Sequence, residues 1–154
     1  MSDEAMRCLS LWQPWASSIA RGWKRVETRG RRTHHRGPIA IHAAKVWGPG
    51  QLAASLRLAE LLEAEPGAFV PGPGRDFPFG AVVAVAELVD CVEMTPEVIA
   101  ATHPLEQAFG DWRPGRFAYH LEDVKRLRDP YKLKGRQSLW TLTSEQTQEI
   151  RSRL

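Results

Sequence analysis

Several features that define common protein classes are scarce or missing in this chain. It lacks the roughly 18 consecutive apolar residues that a membrane-spanning helix needs. The two cysteines, Cys8 and Cys91, share no CxxC or Cys/His spacing, so no zinc site is predicted. Residues 1–5 are acidic and polar, unlike a secretory signal. We therefore expect a cytoplasmic protein with two buried, reduced thiols, no metal, no other cofactor and no membrane contact.

The length and composition are typical of one globular domain. The chain has 154 residues, of which 43% are apolar and 25% are charged. These values exclude wholesale disorder, collagen-like repeats and a coiled coil, and we expect a single domain over residues 1–154. Tyrosine is scarce, with two residues, whereas tryptophan is abundant, with six. Because the indole ring is large, flat and able to hydrogen-bond, the tryptophans suit either a core or a stacking site.

The hydrophobic pattern predicts five or six strands interspersed with three or four helices. The predicted strands cover residues 7–11, 25–29, 38–43, 80–90, 116–121 and 138–142. The predicted helices cover residues 13–22 and 51–65, with a third opening at Thr95 and a terminal one capped by Ser144. The leucines of 51–65 are expected to share one apolar face, and residues 66–78 are expected to form a loop. This irregular spacing favours a mixed α+β domain with a small, strongly curved sheet or barrel.

The formal net charge of +3 conceals a strongly polarised distribution. Residues 21–45 hold eight Lys and Arg against Glu27 alone, a net +7, and residues 125–136 hold six against one acid, a net +5. Residues 60–111 hold ten acids against one arginine, a net −9. If the two basic segments share a face, that face would attract phosphates and steer their approach. The alternative is that both are solvated loops.

The densest polar cluster lies at residues 22–29. Side chains two residues apart share one face of a strand, so Glu27 and Arg29 are expected to point together. A carboxylate beside a guanidinium can hold a bound polar group, and Lys24 would reach the same place as a base or nucleophile. The alternative is an exposed strand with an ordinary surface ion pair.

Five segments of the chain carry a resemblance to a known family. They are LSLWQPWA at residues 9–16, the pattern GxKxxExR at residues 22–29, and residues 37–45, 80–89 and 134–140. In these segments the chain resembles the ASCH domain, the activating-signal-cointegrator homology fold related to PUA domains. GxKxxExR is the signature of that family and is matched in full. The resemblance implies an α+β fold, a PUA-like small β-barrel with flanking helices, and a cleft lined by the signature residues.

The resemblance also implies a range of functions. The family is associated with RNA, DNA and modified nucleosides, so we expect binding of RNA, another nucleic acid or a modified nucleobase. One bacterial branch hydrolyses the acetyl amide of N4-acetylcytidine with a lysine at the place of Lys24. That branch has a threonine where this chain has Glu27, and a further acid for which Glu106, or failing that Glu97, would serve. An amidohydrolase using Lys24 and Glu27, a ribonuclease, and a protein-interaction module therefore stay open as alternatives.

Two sets of residues are the predicted site. Trp12 would stack on a base and Gln13 would read it, and His42 would serve as a donor or base. For Trp12 and His42 a structural role is the alternative. Trp140 is predicted to lie in the core. The expected ligand-binding residues are Trp12, Gln13, Lys24, Glu27, Arg29, His42 and Lys45. The expected nucleic-acid-binding residues are Arg25, Arg31, Arg32, Arg36, Lys132, Lys134 and Arg136.

Overall fold

Six strands form one mixed sheet that curls into a half barrel. The computed structural model describes residues 5–65, 68, 74 and 76–154. The strands are β1 (Arg7–Leu11), β2 (Val26–Arg29), β3 (Gly37–Ala43), β4 (Ala81–Glu93), β5 (Phe117–Lys132) and β6 (Leu139–Thr141). Their order across the sheet is β2-β5-β4-β3-β1-β6, with β1 and β3 parallel and the other neighbours antiparallel. The predicted α+β class is confirmed.

The long pair β4 and β5 gives the sheet its curvature. β5 continues to Lys132, whereas the sequence pattern predicted its end at residue 121. The extension was missed because residues 122–132 are mostly charged and exposed, and therefore lack the alternation of a half-buried strand. Three register irregularities interrupt the pairing of β4 with β5. Irregularities of this kind bend strands and increase their twist.

Five helices flank the sheet in the described residues: α1 (Trp15–Ala20), α2 (Pro49–Leu61), α3 (Pro96–Ala101), α4 (Pro104–Ala108) and α5 (Ser144–Ser152). The predicted cap of α3 is confirmed, since the side chain of Thr95 accepts a hydrogen bond from Val98 N. The predicted cap of α5 is wrong by one residue. Thr143, not Ser144, accepts from Gln146 N, and the Gln146 side chain accepts from Thr143 N in return.

The buried face of α2 is not the predicted row of leucines. Leu52 and Leu56 are 42% and 53% exposed, whereas Gln51, Ser55 and Leu58 face the protein. Ser55 costs little there because its hydroxyl donates to the backbone carbonyl of Gln51. Tertiary packing overrode the local pattern.

Buried side chains cover both faces of the sheet. Leu9 and Leu11 of β1 pack with Ile19 of α1 on one face, while Cys8 of β1 packs with Ile150 of α5 on the other. Cys8 and Cys91 are both buried and free, as expected. Both faces of the sheet are therefore covered by packed side chains. The predicted loop at residues 66–78 lies largely outside the described residues.

Candidate nucleic-acid interface

The largest of the clefts described here lies where several strands end on one side of the sheet. It has a volume of about 1220 Å³ and runs past the ends of β1, β3 and β5 and the start of β4. Since β4 is antiparallel to both β3 and β5, its first residues lie beside their last ones. We call this cleft the basic groove, because its described lining holds five basic side chains and no acidic one. They are Arg29, Lys45, Lys132, Lys134 and Arg136.

The basic groove brings together parts of both basic segments of the sequence. Arg29 and Lys45 come from residues 21–45, and the other three cations come from residues 125–136. A cleft lined by charges of one sign concentrates potential and attracts counter-ions such as phosphates. Parts of the two segments therefore share a face, which the sequence alone left undecided.

Trp12 forms an aromatic wall of the groove. Its side chain is 58% exposed and follows the last residue of β1. Phe79 also lines the groove, with its ring centroid 5.7 Å from that of Trp47. An exposed aromatic ring in a positively charged groove is the arrangement that stacks the bases of single strands. Trp15 and Trp140 differ from Trp12, because both are partly buried against core clusters.

His42 fixes the wall of the groove that residues 132–138 form. Its Nε2 lies 2.6 Å from the carbonyl oxygen of Leu133 and its Nδ1 lies 2.7 Å from Ser10 Oγ. A carbonyl only accepts, so Nε2 carries the proton and Nδ1 accepts from the Ser10 hydroxyl. Burial lowers the pKa of His42 and favours this neutral ring. Gly135 packs so closely that a Cβ there would stand 2.6 Å from His42 Cε1.

A second cleft, of about 510 Å³, opens beside the groove, and we call it the Glu27 pocket. Glu27, Thr28 and Arg29 of β2 form one wall, and residues 108–111 form another. Gly110 permits the walls to approach, because a Cβ there would stand 2.8 Å from Thr28 Cγ2. Arg29 lines both this pocket and the groove, so the two clefts adjoin each other at this side chain.

The carboxyl group of Glu27 is buried with half of its hydrogen-bonding capacity unused. The residue is 8% exposed. Its Oε1 accepts from the backbone N–H of Thr28 at 2.9 Å, whereas its buried Oε2 has no hydrogen-bond partner among the described residues. Burial raises the pKa of Glu27, and the charges of Lys24 and Arg29 oppose that shift. A bound polar group would satisfy Oε2.

Lys24 is buried between structural elements and lines neither the basic groove nor the Glu27 pocket. It is 1% exposed, and its Nζ donates to the backbone carbonyls of Val26 at 2.6 Å and Phe109 at 3.0 Å. The ammonium also lies 5.8 Å from the ring centroid of Trp15, within cation–π range. Lys24 therefore joins the two walls of the Glu27 pocket from within, and its ammonium already has fixed acceptors.

A third cleft, of about 530 Å³, lies on the other side of Arg29, and we call it the arginine pocket. Its described lining holds five arginines and no acidic side chain: Arg7, Arg29, Arg31, Arg32 and Arg116. It is bordered by β1 and β6 on one side and by β2 on the other, strands that do not pair with each other across it. Arg29 thus borders all three clefts.

Gln13 lies inside the protein rather than on a ligand surface. It is fully buried, and its Oε1 accepts from Ser17 N while its Nε2 donates to Ser17 Oγ and to the carbonyl of Pro78. These bonds satisfy the amide and tie the first turn of α1 to the chain before β4. Both amide hydrogens of Gln13 are used and its oxygen is buried, so the side chain is not placed to read a base.

Four further predicted residues lie outside the three clefts. The exposed guanidinium of Arg36 is 3.7 Å from Asp90, and the exposed side chain of Arg25 lines none of the clefts. Glu106 Oε1 accepts from Arg25 N at 2.6 Å, and Oε2 is buried without a partner among the described residues. Glu97 is exposed in the first turn of α3. Neither acid lines the Glu27 pocket.

Some lining residues escaped the sequence prediction. They are Ser10, Phe79, Gly135 and Arg116, of which Ser10 and Gly135 lie in family-like segments but were not named as site residues. Gly135 was the one most open to prediction from sequence, because a glycine between two basic residues permits a close approach of the backbone to another group.

The described residues show neither a metal cluster nor a membrane span. No group of three or more His, Cys, Asp and Glu side chains among them could hold a metal ion. None of their helices has the length and apolarity needed to cross a bilayer.

Comparisons with known proteins agree with the geometry. A family model described as the ASCH domain matches residues 9–137. Activating signal cointegrator 1 of Homo sapiens is 30% identical over 145 residues, and that of Mus musculus is 30% identical over 142 residues. Each alignment covers 90% of this chain, which spans only 22% of the length of these relatives.

Solved structures show the same fold. The crystal structure of ASCH from Zymomonas mobilis has a TM-score of 0.62 and 22% sequence identity, covering 96% of this chain and 94% of that one. Two mutants of that protein give TM-scores of 0.62 and 0.61. The expected α+β fold agrees with these neighbours. With its signature on β2, a family model matched over most of its length and relatives at 30% identity, this chain belongs to the ASCH domain family.

Proposed function

We propose that this ASCH domain binds single-stranded RNA in the basic groove. The observation that carries the proposal is the groove itself, in which five cations and no acidic side chain accompany an indole that is 58% exposed. Phosphates supply most of the affinity in such a complex, through the cations, and bases stack on the aromatic ring. The second basic side of the interface is the arginine pocket, which meets the groove at Arg29.

Salt dependence tests this proposal quantitatively. For a single strand, log K falls with log salt with a slope of about −0.7 per phosphate neutralised. Five groove cations therefore predict a slope of about −3.5, which is about a 100-fold loss of affinity between 50 and 200 mM salt. Fluorescence anisotropy with a labelled RNA 12-mer would measure it.

A pair of matched lysine variants distinguishes the groove from general charge. Lys134 lines the groove, whereas Lys125 is an exposed lysine of β5 that does not. Lys134→Ala is expected to weaken RNA binding and to reduce the salt slope by about 0.7, while Lys125→Ala is expected to do neither. Equal effects of both variants, or RNA binding that salt does not weaken, would contradict the proposal.

An amidohydrolase acting on N4-acetylcytidine is the second candidate, and the buried Glu27 favours it. A carboxyl group with a raised pKa and a free Oε2 in a pocket is suited to proton transfer. In the reaction water adds to the acetyl carbonyl, the C–N bond breaks, and cytidine and acetate result. Lys24 argues against the nucleophile expected from the sequence, since its Nζ is held by two backbone carbonyls.

Chromatography of N4-acetylcytidine after incubation with the protein decides between the two functions. Cytidine released by the wild type and by Glu122→Gln, an exposed control, but not by Glu27→Gln would establish the hydrolase. No release, together with salt-dependent RNA binding, leaves the binding domain. The same incubation with labelled RNA shows whether the strand is shortened, as a ribonuclease would do. Retention of a protein partner without RNA would instead favour an interaction module.

A further inference from the structure

We propose that the arginine pocket is a binding site for a phosphate monoester, the group found at the end of a nucleic-acid strand or on a mononucleotide. The inference rests on the proposed function for the molecule that carries the phosphate. The inference goes further than the proposed function because it assigns a separate pocket to one particular form of phosphate. Its basis is a cavity of about 530 Å³ with five guanidinium groups and no acidic side chain in its described lining.

Two of the five guanidiniums of this pocket are uncommitted within the described part of the chain, two have weak or partial contacts, and that of Arg116 is held by two backbone carbonyls and by an ion pair with Asp111 at 3.6 Å. Arg29 and Arg31 form no hydrogen bond or ion pair there through their side chains. Arg32 only stacks on Phe117, with its Cζ 4.8 Å from the ring centroid. Arg7 donates from Nη2 to the carbonyl of Leu139 at 3.4 Å, and its Nε is buried without a partner. A buried donor without a partner is destabilising, and a bound anion would accept a hydrogen bond from it.

Two side chains of the pocket have fixed positions. The hydroxyl of Tyr119 donates to the carbonyl of Arg31 at 2.6 Å and holds the loop after β2. Arg116 donates from Nη2 to the carbonyl of Thr28 at 3.3 Å and from Nε to the carbonyl of Asp111 at 2.9 Å. Its guanidinium is thereby fixed against β2. The pocket is partly preorganised, which lowers the cost of ordering it around a ligand.

The density of arginine favours a monoester over an internal phosphodiester. An internal phosphate carries one negative charge, whereas a monoester carries about 1.5 to 2 at neutral pH and has three strong acceptor oxygens. The planar fork of arginine matches these oxygens with paired N–H groups, while lysine acts as a point charge. The groove is richer in lysine and the pocket holds only arginine among its basic residues. The two clefts thus suit different phosphates.

The connection between the clefts explains how one strand would use both. Arg29 and Ser138 line the groove and the arginine pocket alike. A strand lying along the groove would therefore reach the pocket with its last phosphate. The structure does not select the 5′ or the 3′ end, so both ends belong in the test.

The experiment compares the same RNA 12-mer with hydroxyl ends, with a 5′-phosphate and with a 3′-phosphate. We expect one phosphorylated form to bind about tenfold more tightly than the hydroxyl form, which corresponds to about 1.4 kcal/mol. Arg31→Gln should remove that gain, so that the phosphorylated and hydroxyl forms bind the variant with equal affinity, whatever the variant does to the affinity of the hydroxyl form. Arg57→Gln is the matched control, because it removes one exposed arginine of α2 outside the clefts.

Calorimetric titration with adenosine monophosphate and adenosine separates the two sources of the group. Binding of the monophosphate but not of adenosine, weakened in Arg31→Gln alone, would support a mononucleotide as the ligand. A gain seen only with phosphorylated strands would support a strand end. If neither phosphorylated strands nor the monophosphate gain anything, or if Arg57→Gln has the same effect as Arg31→Gln, the inference is overturned. RNA with hydroxyl ends failing to bind in the groove would refute only the proposed function.

Discussion

Replacing Lys24 by methionine tests whether the signature lysine is a structural element of the fold. Methionine keeps most of the volume of the side chain but removes its ammonium. The two backbone carbonyls that accept from Nζ, those of Val26 and Phe109, would then lose this donor. Residue 109 lies 85 positions away from Lys24 in sequence, so the variant also loosens the wall opposite β2 in the Glu27 pocket.

The loss of stability follows from these two bonds. A buried acceptor deprived of its partner costs about 1–3 kcal/mol, so two acceptors give about 2–6 kcal/mol. Glu27 also loses a neighbouring positive charge that opposes the rise of its pKa. In a domain of this size each kcal/mol lowers Tm by about 2–4 °C, and we expect a decrease of at least about 4 °C.

Thermal unfolding followed by circular dichroism, with urea unfolding in parallel, measures the change. Lys125→Met is the control, because Lys125 is an exposed residue of the same charge. The variant of Lys125 should unfold within about 0.5 kcal/mol of the wild type. A Lys24→Met protein with wild-type Tm would refute the structural role, and if it had also lost hydrolysis of N4-acetylcytidine, the lysine would be catalytic after all.

Three further expectations concern α2, His42 and Trp12. Leu58→Ala should destabilise the protein by about 2–5 kcal/mol, because Leu58 is fully buried. Leu56→Ala, on the exposed side of α2, should change the unfolding free energy by less than about 0.5 kcal/mol. Equal urea midpoints for the two variants would contradict the assignment of the buried face of α2. Burial lowers the pKa of His42 below its ordinary value of 6.5, so the unfolded chain binds the proton more readily than the folded one. The contribution of the neutral ring to stability is therefore complete above pH 6.5 and declines as pH falls below 6.5. Urea unfolding at pH 7.5 and 5.5 should show that decline in the wild type and less of it in His42→Gln. Trp12→Ala should weaken RNA binding by about 5- to 150-fold, which corresponds to about 1–3 kcal/mol for one stacked base, and should leave Tm unchanged. An anisotropy titration equal to that of the wild type would show that Trp12 is not part of the interface.

The local elements of the fold were accessible to sequence reasoning, and the errors fall at identifiable places. Apolar alternation located β1, a run of apolar and branched residues after Gly37 located β3, and a Thr-Pro pair located the start of α3. The charged half of β5 was missed because its pairing with β4, rather than any burial of its own, makes it a strand. The leucines of α2 misled because Phe77 and Phe109, which cover Leu58, come from distant parts of the chain.

The candidate site was only partly accessible for the same reason. The sequence named Trp12, Glu27 and Arg29, and the structure brings them to adjoining clefts. It could not show that the amide of Gln13 is consumed inside the protein or that Lys24 is enclosed by backbone carbonyls. Side chains in a motif share a short segment, but their surroundings come from segments far away.

The amino-acid sequence by itself determined the class of fold, the family signature and the excess of cations in two segments. These properties depend on residue type and on spacing within a few positions, which are local. Only the tertiary structure decided that parts of both basic segments line one groove, that Arg29 borders three clefts, and that the carboxyl of Glu27 keeps a free oxygen in one of them. Those outcomes depend on which strands pair and where the half barrel stays open, because pairing places residues about 90 or more positions apart, such as His42 and Leu133, within hydrogen-bonding distance.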